Sequence, residues 1–156
     1  MRNSIASVFM LFFTAVMPAF ADTPASVAVA PVQSGTIVVN ITDLKKTLGM
    51  LGVSLHNSKS GFPGKHEQAY ANQTKKITGP VEKVIFENVP FGTYAISVVH
   101  DENSNGKLDK NFIGIPKEGV GVSNNPKIGM GGPKFDPCTF MLNNGQIELT
   151  IAMKYL

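Results

Sequence analysis

Side chains that carry oxygen recur at alternate positions between residues 101 and 109, in the run Asp-Glu-Asn-Ser-Asn-Gly-Lys-Leu-Asp. Ca²⁺ takes about six to eight oxygen ligands, and a tightly coiled loop turns alternate side chains toward one centre. Gly106 permits the sharp bend, and the Lys107 carbonyl would supply a further oxygen. The spacing therefore predicts a candidate Ca²⁺ site. Its ligands would be Asp101, Asn103, Asn105, Lys107 and Asp109.

This spacing matches only part of the calcium loop of EF-hand proteins. It reproduces positions 1, 3, 5, 6 and 9 of that loop, but the bidentate Glu expected at position 12 is Phe112 here. Two carboxylates predict weak binding, in the range of about 10⁻⁴–10⁻³ M that extracellular modules show. Glu118 is the best candidate for a remote carboxylate, whereas Glu102 is expected to point away.

The same residues also permit a loop without metal. Asx side chains bind backbone N–H groups two residues ahead, so Asp101, Asn103 and Asn105 would form Asx-turns. Asn105-Gly106 would then be a type I′ turn. The residue types leave both interpretations open.

The N-terminus carries the three parts of a secretory signal peptide. Arg2 is the positive end, an apolar run extends from Val8 to Met17, and Ala19-Phe20-Ala21 is a small-x-small cleavage site. The run is shorter than the ~20 residues that span a bilayer, so no membrane span is expected after cleavage. We predict a signal peptide over residues 1–21, a flexible lead-in over 22–34 and one exported domain over 35–156, periplasmic or secreted. Calcium is plentiful outside the cytosol, so export makes a weak site credible.

Charge and cysteine content narrow the function further. The chain has 14 Lys and Arg against 11 Asp and Glu, a positive field too weak to indicate nucleic acid. Cys138 is the only cysteine, so no intramolecular disulfide can form. Residues 138–142 alternate like a strand, which predicts a buried and inert thiol.

Residue types that would carry catalysis are scattered. His56, His66 and His100 lie in separate segments without zinc spacing, and each is expected at the surface or at a strand end. The chain has no Gly-x-Ser-x-Gly elbow, no phosphate loop and no His-Glu-x-x-His. We therefore predict a protein that is not an enzyme, with no catalytic residue and no cofactor other than Ca²⁺.

The segments that would position the loop have the sequence pattern of β-strands. Apolar residues alternate over 37–41, 51–55, 94–98 and 147–155, which is the period of half-buried strands. Turn residues at 88–92 and at Asn143-Asn144-Gly145 predict two hairpins. Residues 57–80 are expected to form a long exposed loop, with a short helix possible over Glu67–Lys76. The pattern predicts an all-β fold, an antiparallel Greek-key sandwich of about seven strands.

A Gly-, Pro- and Asn-rich stretch follows the candidate calcium loop, and loops of this length are often functional. Its apolar residues could form an exposed patch that binds an unknown protein or small ligand through residues 112–135, or could pack over the open end of the sandwich. These residues are Phe112, Ile113, Ile115 and Phe135.

The run from Asn88 through Asp109, continuing as Asn-Phe-Ile-Gly-Ile-Pro-Lys-Glu-Gly over 111–119, resembles the bacterial exported family catalogued as domain of unknown function 2141. The resemblance covers about residues 35–156. A weaker one, on the Pro-x-Gly-x-Tyr turn and the Asp/Asn loop, is to prealbumin-like and Cna-B-type sandwich domains. The family has no settled activity, so the resemblance implies a fold and a compartment and leaves function open.

Two main classes of function remain, and an outer-surface adhesive subunit is a third possibility. The first is an exported, non-catalytic binding or structural module whose Asp101–Asp109 loop, with or without Ca²⁺, orders the stretch from Phe112 to Phe135. The second is a small periplasmic hydrolase or ligand carrier with a cleft under that stretch. The hydrolase would need His100 with Asp101 or Glu118 within hydrogen-bond reach as acid and base.

Overall fold

The computed structural model describes residues 33–127 and 131–156 and contains two packed β-sheets. The predicted signal peptide and most of the predicted lead-in lie outside these residues. The strands are β1 (Ser34–Thr42), β2 (Met50–His56), β3 (Ala71–Lys76), β4 (Glu82–Pro90), β5 (Gly92–Asp101), β6 (Gly119–Val122), β7 (Phe140–Leu142) and β8 (Gln146–Ala152). A 3₁₀ turn spans His66–Gln68, and a one-turn helix, α1, spans Phe135–Cys138. The predicted all-β sandwich is confirmed, with eight strands rather than seven.

One sheet has three strands in the order β4-β1-β8 and the other has the order β3-β2-β5-β6, with β7 also on β5. All pairs are antiparallel except β1 with β8, which run parallel. β7 and β6 share one edge of β5, with β7 on Gly92–Tyr94 and β6 on Ser97–His100. The candidate calcium loop thus leaves β5 at the end away from β7.

The core lies between the two sheets and follows the period-2 pattern of the sequence. The inward positions on the central strands are apolar except for His100 near the end of β5, and burying one such apolar side chain contributes about 1.5–3 kcal/mol. The largest fully buried apolar side chains are Ile37, Val39, Ile41, Leu51, Val53, Leu55, Ile96, Val98, Leu142 and Ile151.

Both predicted hairpins are wrong, although the strands beside them are right. β4 pairs with β1 while β5 pairs with β2, so the turn at 88–92 carries the chain from one sheet to the other. The Tyr94 hydroxyl donates to the Pro90 carbonyl at 2.8 Å and fixes this corner. Likewise β7 pairs with β5 and β8 with β1, so Asn143-Asn144-Gly145 is a crossing between sheets. Turn residues indicate where the chain bends but not which strand it then joins.

The helix considered over Glu67–Lys76 is also wrong. Only His66–Gln68 form a 3₁₀ turn, and Ala71–Lys76 form the edge strand β3. This strand escaped prediction because its residues, Ala-Asn-Gln-Thr-Lys-Lys, show no apolar alternation. Pairing with β2 makes it a strand, and an edge position tolerates polar side chains and lysine on both faces.

Cys138 is fully buried, as predicted, but it closes α1 instead of opening a strand. It packs with Ala95 and Val122 in a second, smaller apolar cluster, against which Phe62 and Phe135 lie. Among the described residues, no helix is long and apolar enough to cross a bilayer.

Candidate functional site

Asp101 is the last residue of β5 and organises the loop that follows. Its carboxylate accepts hydrogen bonds from the backbone N–H of Asn105 at 3.1 Å and of Gly106 at 2.7 Å. Gly106 has φ +74° and Ser104 has φ +58°, so the chain turns sharply enough to return its N–H groups to Asp101. The side chain is 8% exposed, which makes it the inner anchor of the loop.

Asn103 and Asn105 form consecutive Asx-turns. Asn103 Oδ1 accepts from the Asn105 N–H at 3.0 Å, and Asn105 Oδ1 accepts from the Lys107 N–H at 2.8 Å. Both amide groups also donate to the Asp109 carboxylate, from Asn103 Nδ2 at 2.8 Å and from Asn105 Nδ2 at 3.3 Å. The structure therefore brings three of the predicted ligand side chains into direct contact.

The other two predicted ligands reach this cluster through the backbone. Asp101 binds the N–H of Asn105, and Lys107 donates its N–H to the same residue, while the Lys107 side chain is exposed. The described residues hold no group of three or more His, Cys, Asp or Glu side chains suited to a metal. A cation here would depend on amide and carbonyl oxygens beside the two carboxylates, which are ligands that Ca²⁺ accepts.

Glu118 closes the loop at its base. Its two carboxylate oxygens accept from the backbone N–H of Glu102 and of Asp109, both at 3.0 Å. The side chain is 4% exposed, so the two ends of the loop are held together inside the protein. Glu118 thus approaches the loop as predicted, but onto its backbone. Glu102 turns outward and pairs with Lys46 of the β1–β2 connection.

Residues 109–117 form a short hairpin directly after the loop, called the 109–117 hairpin below. The Lys117 N–H donates to the Asp109 carbonyl at 2.9 Å. Lys110 and Pro116 lie opposite each other and form an isolated antiparallel β-bridge. At the turn, Asn111 Oδ1 accepts from the N–H groups of both Ile113 and Ile115. The turn is therefore fixed by one side chain.

The predicted apolar patch divides in two. Phe112 is 98% exposed, Ile113 64% and Ile115 39%, and these three residues are called the apolar tip below. Phe135 belongs elsewhere: it packs edge-on against Phe62, with ring centroids 5.5 Å apart. The tip projects from the hairpin instead of packing over the end of the sandwich.

Two of the three histidines, His56 and His100, lie at strand ends, which is one of the two expected placements, and both are buried. His100 is fully buried, with Nδ1 at 2.7 Å from the Tyr155 hydroxyl and Nε2 at 2.8 Å from the Leu48 carbonyl. Both ring nitrogens are thus used within the fold, and neither is bonded to Asp101 or Glu118. No acid and base pair of the kind a hydrolase would need forms at this point.

His56 lies on the outer face of the five-stranded sheet and is 1% exposed. Its Nε2 is 3.3 Å from Ser97 Oγ, which donates to the Pro63 carbonyl at 2.8 Å. Burial, together with the charge of His66, lowers the pKa of His56 and favours the neutral ring. The Phe62 ring packs edge-on against it at 5.2 Å. His66 itself is exposed, as predicted.

A cavity of about 390 Å³ opens on this outer face, between the 57–70 segment and the Asp101–Asp109 loop. Small residues form its floor, because Gly52, Ser54 and Ser97 occupy outward positions on β2 and β5. The sequence did not indicate this cavity, since it forms only when β3 joins the sheet. This cavity is not the cleft predicted under residues 112–135, because none of those residues lines it.

A family model described as an uncharacterized protein conserved in bacteria, DUF2141, matches residues 39–150. No curated protein and no solved structure matches the chain, and nothing found supports the weaker likeness to prealbumin-like and Cna-B-type domains. The matched range begins inside β1 and ends inside β8, so it includes the loop and hairpin described above. The chain belongs to the bacterial family of domain of unknown function 2141.

Proposed function

We propose that the protein is an exported, non-catalytic binding module whose recognition element is the 109–117 hairpin. One observation carries this proposal: the apolar tip is exposed while the backbone behind it is fixed from base to turn. Glu118 holds the two ends of the preceding loop, and Asn111 holds the turn. A preorganised element loses little conformational entropy on binding, which is what a recognition surface needs.

We further propose that the Asp101–Asp109 loop binds Ca²⁺ weakly and stiffens this element. Asn103 and Asn105 lie beside Asp109, and a cation would replace the hydrogen bonds from their Nδ2 groups to its carboxylate, with the amides turned so that Oδ1 faces the metal. The expected ligands are the five predicted from sequence, with Glu118 supporting the loop from behind. At a tenfold excess of Ca²⁺ over its Kd, the folded state would gain about 1.4 kcal/mol.

Thermal unfolding in millimolar Ca²⁺ and in chelator tests the metal. We expect Ca²⁺ to raise Tm by about 3–8 °C, from that free energy and the size of the domain. Asp109→Asn keeps the shape of the side chain and removes one charge, so it should abolish most of the rise. The matched control is Asp43→Asn, an exposed residue at φ +59° that Asn also tolerates. Equal Tm values in calcium and in chelator would contradict the proposed Ca²⁺ site.

A second candidate, a small-ligand carrier, is favoured by the cavity on the outer sheet face. Its volume lies in the range of about 300–1,000 Å³ that small-molecule sites occupy. A Cβ at Gly52 would meet no atom within 4 Å, so a larger side chain there has room to occupy the floor of the cavity. Gly52→Leu should therefore abolish binding of the apolar dye anilinonaphthalene sulfonate, while Gly64→Leu, equally free of contacts, should not. Unchanged dye binding in Gly52→Leu would count against a carrier.

A further inference from the structure

We propose that the apolar tip docks the protein onto an anionic lipid surface. This names the partner of the recognition element, so it rests on the proposed function in that respect alone. It does not require the metal. The proposal depends on the apolar tip and on the lysines around it.

Four backbone N–H groups of the tip and its turn already donate within the hairpin. The N–H groups of Asn111 and Gly114 donate to the carbonyls of Ile115 and Asn111, at 2.8 and 3.0 Å. Those of Ile113 and Ile115 donate to Asn111 Oδ1, and Pro116 has no N–H. An unsatisfied backbone group is costly in the apolar part of a bilayer. Between Asn111 and Ile115 only the Phe112 N–H lacks such a partner, so the turn loses few hydrogen bonds to water when its apolar side chains insert.

The charges around the tip are sorted by exposure. In residues 101–118 every lysine is exposed, and every acidic side chain is buried or half-buried. The lysines are Lys107, Lys110 and Lys117, and the acidic residues are Asp101, Glu102, Asp109 and Glu118. The solvent therefore meets positive charge on a segment whose negative charges are turned inward.

The hairpin register places this positive charge directly behind the tip. Lys110 lies opposite Pro116, one pair below Asn111 and Ile115, and Lys117 lies opposite Asp109. Successive residue pairs of a hairpin point their side chains to opposite faces. Lys110 and Lys117 belong to adjacent pairs, so they lie on opposite faces. Apolar side chains at a tip with cations on both faces suit the boundary between acyl chains and anionic headgroups. The cations would contact the headgroups while Phe112 inserts.

Sedimentation with lipid vesicles tests the proposal on the full mature chain. We expect binding to vesicles that contain phosphatidylglycerol and little binding to pure phosphatidylcholine. Phe112→Ser should weaken binding about tenfold or more, because a phenyl ring would no longer be buried. Lys110→Gln and Lys117→Gln should each weaken it about fivefold, and added salt should weaken it further.

Two controls distinguish binding through the apolar tip from nonspecific binding to the vesicles. Met141→Ser removes an exposed apolar side chain at the opposite end of β5, next to Thr93, and should leave binding unchanged. Lys65→Gln and Lys83→Gln each remove one charge from an exposed position elsewhere and should leave binding nearly unchanged. Binding by Phe112→Ser equal to that of the unaltered protein would overturn the proposal. So would a failure of the protein to bind either vesicle, the result expected if the tip docks into a protein groove.

The metal is separated by running every assay in millimolar Ca²⁺ and in chelator. Vesicle binding in both conditions supports lipid docking even if Ca²⁺ leaves Tm unchanged. A rise in Tm with Ca²⁺ but no vesicle binding in either condition overturns lipid docking and leaves the calcium site intact.

Discussion

At the scale of single residues, carboxylates that accept backbone N–H groups hold the irregular segments in place. Asp101 and Glu118 do this for the candidate calcium loop. Glu82 does the same on the other sheet, where its carboxylate accepts from the backbone of Thr78 and Gly79 and from the Thr78 hydroxyl. Each of these bonds replaces a strand partner that the backbone lacks, so loss of the charge should loosen the segment.

Stability should therefore depend on pH through Glu82. Burial opposes its ionisation, but the bonds from Thr78, Lys75 and Gly79 outweigh burial and lower its pKa to about 2. Because this pKa lies below the ordinary 4.5, the contribution is complete above about pH 5 and is lost as pH falls toward 2. Glu82→Gln should cost about 2 kcal/mol of unfolding free energy at pH 7 and progressively less below pH 4.5.

Urea unfolding at several pH values measures this difference. Glu87→Gln, at an exposed position of the same strand, is the control and should change stability by less than about 0.5 kcal/mol. A Glu82→Gln deficit that stays constant from pH 7 to pH 3 would contradict the assignment.

Cys138 should be unreactive in the folded protein. Burial raises the pKa of its thiol to about 11, so almost no thiolate is present at pH 8. We expect mass spectrometry to find no iodoacetamide adduct on the native protein and complete labelling in denaturant. Rapid labelling of the native protein would show that α1 opens.

Residue burial could be predicted for Cys138 but not for His100, and the difference has a physical cause. Cys138 is small and apolar, so its residue type alone favours the interior. His100 can be buried only if both ring nitrogens find partners, and these come from Leu48 and Tyr155, far away in the sequence. No local pattern contains that information.

At the scale of elements, alternation predicted which side chains face the core but not how the strands pair. The turn at 88–92 joins two sheets because β4 finds β1 and β5 finds β2. The candidate calcium loop was recognisable because its ligands are close in sequence. The outer-face cavity was not, because it depends on β3, whose residues show no apolar alternation.

The β1–β2 connection should be sensitive at Gly49, which lies against the start of the loop. A Cβ there would be 2.3 Å from the Asp101 carbonyl oxygen, and φ is +87°. Gly49→Ala should cost about 3 kcal/mol, from backbone strain and displacement of the loop. Denaturant unfolding measures this cost. Gly52→Ala, whose Cβ would meet open space, should change stability by less than about 1 kcal/mol, and equal losses in the two variants would refute the close packing.

At the scale of the whole molecule, a rigid two-sheet frame carries one irregular segment that is organised but exposed. β5 and β6 flank residues 102–118, so the loop and the 109–117 hairpin connect neighbouring strands of one sheet. Membership in an uncharacterised bacterial family assigns no role to this segment. The proposed role follows from the segment itself, in which the candidate ligand oxygens lie at the base and the apolar tip lies beyond them.

Hydrogen–deuterium exchange with and without Ca²⁺ tests most directly whether this segment acts as one unit. We expect millimolar Ca²⁺ to slow exchange across residues 103–117, including the N–H groups of Ile113 and Ile115, and to leave β8 unchanged. Chelator should reverse the effect, and Asp109→Asn should show none of it. Exchange at residues 103–117 that is identical in Ca²⁺ and in chelator would contradict the claim that the loop binds metal and orders the tip.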